Sequence, residues 1–196
     1  MKIARTVSSN SHIDYVARIL DRDEDDLEAP DPSNYGFGQF VSLEGDGESV
    51  IGVIYDSRLV NPEYGSFAPR SGPRAELARQ NADHVREQGI LIGILLLGTI
   101  DASGRKFQGV PPRIVPVGRD VKTLDTEAVV EFHTEDGNLH LHYYPQVVSN
   151  ARQFAIPLLG SIIDHLMKHA SEGDQQRLRV LRQSLQWQGT FGAIKL

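Results

Sequence analysis

The chain has 196 residues, with 20 Lys and Arg against 26 Asp and Glu, a formal net charge of −6, and no cysteine. That composition excludes disulfides, thiolate metal sites and cysteine nucleophiles, and it disfavours direct nucleic-acid binding by phosphate neutralisation. The longest apolar run, Ile90 to Leu97 broken only by Gly93, falls far short of the roughly 20 residues that span a bilayer. With no signal-peptide core at the N-terminus either, the expected setting is the cytoplasm and no membrane partner is expected.

In chain order, HIDYVARIL (12–20) alternates Ile13, Tyr15, Ala17 and Ile19 and reads as a strand. The acidic run Asp21–Glu28 follows. It lacks the central glycine and closing bidentate glutamate of a calcium loop, so a solvated acidic loop is expected. GQFVSLEG and VIGVIYDSRLV flank EGDGES, which gives a hairpin, and Gly52 in its second strand predicts a bulge or tight bend. Residues 61–73 read as loop, and about 73–88 as an inserted helix with a narrow stripe of Ala75, Ala78, Ala82 and Val85. Arg70, Arg74, Arg79 and Arg86 gather in this segment.

ILIGILLLGTI predicts a fully buried strand, and DASGRKFQGVPPRIVPVG a long turn-rich section. In EAVVEFHTEDGNLHLHYY the Asp136-Gly137 pair predicts a two-residue hairpin turn. Beyond Tyr144 the pattern becomes helical. One helix is expected from Ala151, capped by Asn150 and bent or broken at Pro157, with Leu159, Ile162, Ile163, Leu166 and Met167 at helical spacing. A last helix is expected to be capped by Asp174 and to end at Gly189. The division is a β-rich body over 1–146 and a helical extension over 147–196.

Two groups of residues are candidates for a site. If the 129–144 hairpin turns at Asp136-Gly137, His133 opposes His140 and Glu131 opposes His142, which sets all four on one side. Three imidazoles and a carboxylate could ligate zinc or another divalent ion, although a solvated hairpin face is the plainer account. Phe132, Leu139, Leu141 and Tyr143 would then face the core. The second group is Leu178, Leu181, Leu185 and Trp187, an apolar stripe that either packs on the preceding helix or meets a partner. No G-x-S-x-G elbow and no G-x-x-x-x-G-K-[ST] phosphate loop occurs, so neither nucleophilic catalysis nor nucleotide hydrolysis is indicated, and no cofactor is expected apart from that candidate divalent metal.

DYVARIL, YGFGQFVSLE, VIGVIYDSRLVNPEYG, LIGILLLGTIDASGRKFQGVPP and PVGRDVKTL together resemble the HAS-barrel domain. That is the small β-barrel at the N-terminus of HerA-type DNA-translocating ATPases, related to the N-terminal barrel of ATP synthase subunits. The likeness covers about residues 14 to 125 and omits the ATPase core. It implies a small closed or partly open β-barrel; with the inserted helix and the C-terminal helical extension read from the residues, the last being a departure from that family, the expected fold class is α+β. It also implies a non-catalytic adapter or assembly role beside a HerA-like hexameric ATPase or its associated nuclease, in DNA repair or end processing. The rival expectations are a metal-dependent hydrolase or nuclease built on the His/Glu cluster, and a homo-oligomeric structural protein.

Overall fold

The computed structural model describes residues 1–20, 29–45, 47–60 and 89–192, with side chains to Trp187. The acidic run 21–28, the inserted helix expected at 73–88 and the arginines beside it lie outside the described residues.

Six strands close into an antiparallel barrel. They are β1 (Lys2–Ser9), β2 (Asp14–Ile19), β3 (Phe40–Glu44), β4 (Glu48–Val60), β5 (Gly89–Asp101) and β7 (Asp120–Thr123). The order around the wall is β2-β1-β7-β3-β4-β5, and β2 pairs with β5 to complete the ring. Closure leaves these strands no open edge. The short β6 (Lys106–Gln108) adds to the outside of β5. The predicted β3–β4 hairpin is present, with Glu44 opposite Ser49 and Phe40 opposite Val53.

The wall bends where glycine permits it. The β4–β5 register slips between Ile51 and Gly52, as Gly52 foretold. A Cβ on Gly52 would stand 2.7 Å from Ile94 Cγ2, and one on Gly98 would stand 2.0 Å from the Phe107 carbonyl oxygen. A side chain at Gly52 would therefore strike that of Ile94, and one at Gly98 the backbone of β6 itself.

Both faces of β4 over Val50–Tyr55 and of β5 over Ile94–Thr99 are buried, which explains why these stretches are nearly continuous apolar runs rather than alternating ones. Tyr15, Ala17, Ile92 and Ile94 lie on one face of the paired β2 and β5, while Phe40, Val53 and Leu95 occupy the other face of β3–β5. Helices cover that second face: α1 (Thr126–His133), α2 (Tyr144–Asn150), α3 (Ala155–Met167) and α4 (Glu172–Gly192). A single hydrophobic cluster runs from Ile3 and Val121 in the barrel to Leu158, Ile162, Leu178 and Leu185 in the helices.

Two expectations about the second half need correction. Residues 126–133 form a helix, not the first arm of a long hairpin. The Asp125 carboxylate accepts from the Ala128 N–H at 2.8 Å, and Val129, Phe132 and His133 then fall at the i, i+3, i+4 spacing that buries one helical face. The hairpin shrinks to β8 (Thr134–Glu135) and β9 (Asn138–Leu139), turning at Asp136-Gly137 as expected. In the C-terminal part, Asn150 is the last residue of α2 rather than a cap, and a 3₁₀ turn at Arg152–Phe154 leads into α3. Pro157 breaks nothing, because it sits in the first turn of α3, where its missing N–H has no intrahelical partner to lose.

Candidate functional site

The four residues expected to form a metal site do not converge. His133 lies at the end of α1 with no exposed surface. Its Nδ1–H donates to the Val129 carbonyl at 2.6 Å, and Tyr143 Oη–H donates to its Nε2 at 2.7 Å. Both ring nitrogens are thus committed inside the core, where Phe40, Phe132 and Tyr143 surround the imidazole. Burial pushes its pKa down to about 4, against the bond to Val129, with a further lowering from His165. The ring is neutral at pH 7.

Glu131 is on the exposed side of α1, in a helix rather than on the strand expected for it. His140 does oppose His133, since its N–H donates to the His133 carbonyl at 2.8 Å, but their side chains part. The His140 and His142 rings stack with centroids 4.9 Å apart on the outside, and His142 Nε2 meets Glu135 at 3.2 Å. Among the described residues no group of three His, Asp or Glu is placed to hold a metal ion. Of the residues expected to face the core, Phe132 and Tyr143 are buried, and Leu139 and Leu141 are half-buried.

The leucine stripe of α4 is also spent internally. Leu178 and Leu185 are buried and Leu181 packs partly against the same cluster, while Trp187 remains 66% exposed. The helix is anchored by Asp174, which is not its cap. Ser171 takes that role, its hydroxyl accepting from the Asp174 N–H and donating to the Asp174 carboxylate. The buried carboxylate also accepts from the Leu139 N–H at 3.2 Å and from Arg177. Burial raises its pKa, but the Ser171, Leu139 and Arg177 hydrogen bonds prevail and hold it below the usual carboxylate value. Arg182 clamps Asp164 of α3 in a bidentate pair at 3.0 and 2.9 Å.

His133, Tyr143 and Asp174 therefore serve structure, and a concavity lies elsewhere. An open groove of about 690 Å³ runs past the outer ends of β4 and β5. Tyr35, Phe37, Phe154, Leu59 and Ile90 form its sides, with Tyr55, Asp56 and Ser57 among its lining. The volume is in the range of ligand and peptide sites. Phe37 and Phe154 meet edge to face at 6.0 Å, and Phe37 and Leu59 project into solvent at 46% and 84% exposure. Exposed apolar side chains gathered around a concavity mark an interaction surface more often than a stability feature.

Its polar lining is fixed by the barrel. Tyr55 lies across Gly93, whose missing Cβ leaves room for the ring, and its hydroxyl reaches over β5 to donate to Asp14 at 2.8 Å. Burial, the bond to Asp14 and the charges of Asp14 and Asp56 together push its pKa far up, with Arg152 opposing. The phenol keeps its proton. Arg152, two residues before Phe154, has φ of 50°, an uncommon value for a side-chain-bearing residue. None of these residues was singled out from the sequence for a functional role. The available signal was Gly93 inside an otherwise aliphatic strand, which marks a close approach by another group.

A family model matches residues 1–195, taking in the barrel and the helical layer together. The chain belongs to the family described as Domain of unknown function (DUF8166). No curated protein matches it. Membership thus applies to the barrel with its helical cover as one unit, the groove included.

Proposed function

We propose that this chain is a non-catalytic docking or assembly module. The observation that carries the reading is the open apolar groove with Phe37 and Leu59 projecting from it, on a rigid closed barrel. A protein that keeps such side chains in water gains from covering them with a partner. The buried polar groups support the same reading, since His133, Tyr143 and Asp174 are held by structural hydrogen bonds.

The partner class is the one that the HAS-barrel resemblance implies, a HerA-like hexameric ATPase or the nuclease that works with it in DNA repair. A net charge of −6 suits contact with basic DNA-handling proteins better than contact with DNA. The test is capture of partners by the tagged full chain from its own cell extract at moderate salt, read by mass spectrometry. Recovery of such an ATPase or nuclease supports the assignment. Recovery of the chain alone overturns it.

A further inference from the structure

We infer that the groove recognises a basic side chain, carried between apolar residues on a partner protein. The inference rests on the docking reading above and adds what the groove selects. Four aromatic residues line it: Tyr35, Phe37, Tyr55 and Phe154. Asp56 is the only charged residue among its described lining. Aromatic faces attract cations through their quadrupole, and a carboxylate beside them gives the cation a counter-charge. An anion would meet aromatic rings and a carboxylate, with no cation among the described lining to offset them. Asp56 accepts from the Ser57 N–H at 2.9 Å through one oxygen, and a purely apolar ligand would desolvate the other with only the long contact to Arg58 to offset it.

The other charges nearby do not cancel this preference. Arg58 Nε stands 3.6 Å from Asp56, too far for a hydrogen bond, and its side chain is 76% exposed, so an incoming cation can share the carboxylate. Arg152 is felt by Tyr55 but does not line the groove, and Asp14 on the other side of the Tyr55 hydroxyl offsets it. The aliphatic walls at Leu59 and Ile90 would hold the apolar neighbours of the basic residue.

The experiment titrates the ¹⁵N-labelled full chain with three capped tripeptides, Leu-Lys-Leu, the same peptide with the lysine acetylated, and Leu-Glu-Leu. Acetylation keeps the stem and removes the charge, so it isolates recognition of the cation. The expected result is shifts at the amides of Phe37, Asp56 and Leu59 with the lysine peptide. Binding of the acetylated peptide should be about fivefold weaker or more, as expected for losing one ion pair and one cation–π contact at a half-exposed site. In Asp56→Asn that difference should shrink to twofold or less. Equal binding of the lysine and acetyl-lysine peptides, or no groove shift with any of them, overturns the inference. Partner capture separates the two readings. An Asp56→Asn chain that captures the partner as well as wild type removes the cation preference and leaves docking standing. A Phe37→Asp/Leu59→Asp chain that captures it as well as wild type removes docking at the groove.

Discussion

Acidification from pH 7 to pH 5 should destabilise the protein through His133, and the size of its share follows from its surroundings. The imidazole is fully buried with both nitrogens bonded as the neutral form requires, and its pKa lies near 4 against 6.5 for an ordinary histidine. A folded-state value below the unfolded one means that the unfolded chain takes up a proton first. Stability is therefore intact above pH 6.5, falls as the pH drops towards 4, and changes no further from this group below that. The full gap corresponds to about 3 kcal/mol, of which about 2 kcal/mol is lost by pH 5. For a chain of this size that is a fall in Tm of roughly 5 °C. Urea denaturation of wild type and His133→Gln at pH 7 and pH 5 measures it. The substituted glutamine can still accept from Tyr143 but does not titrate, so the gap between the two proteins should narrow by about 2 kcal/mol at pH 5. A gap that stays constant with pH, or a His133 imidazole seen by NMR to titrate near 6.5, would refute the reasoning.

Three further outcomes follow from the packing. Asp174→Asn should cost about 1–3 kcal/mol at pH 7, because it weakens the links among Ser171, Leu139 and Arg177. Since the Asp174 pKa is lowered in the folded state, that deficit should shrink as pH falls below the ordinary carboxylate value, which denaturant titration at pH 7 and pH 3 would show. Gly98→Ala should destabilise by about 2 kcal/mol or more, since its Cβ would stand 2.0 Å from the Phe107 carbonyl oxygen. Amide exchange should then rise along β6 and the end of β5. Phe37→Asp/Leu59→Asp should lower the thermal midpoint by no more than about 5 °C, because Leu59 stands in solvent and Phe37 gives up one half-exposed edge-to-face contact with Phe154.

Much of the barrel was legible because its signals are local. Alternation in β2, the EGDGES turn between β3 and β4, and the aliphatic run of β5 each specify a strand without reference to the rest of the fold. β1 was missed, since KIARTVSS carries only a short apolar pattern and is held by its pairing with β2 and β7. The α1 segment was misread for a physical reason. Val129, Val130 and Phe132 favour strands intrinsically, but the Asp125 cap and the helical spacing of Val129, Phe132 and His133 over the barrel wall prevail. The Asp136-Gly137 turn and its register were nevertheless right, because a tight turn depends on two residues alone. The groove was illegible. It joins Phe37, Tyr55, Ile90 and Phe154 from four distant parts of the chain, and only closure of the barrel with the helices packed on it brings them together.

The most direct test of the docking account is sedimentation velocity of the purified full chain mixed with a purified HerA-type ATPase from the same cells. The account predicts a co-sedimenting complex with wild type and independent sedimentation with Phe37→Asp/Leu59→Asp. Independent sedimentation of the wild-type chain, or a complex that both proteins form equally, would contradict it.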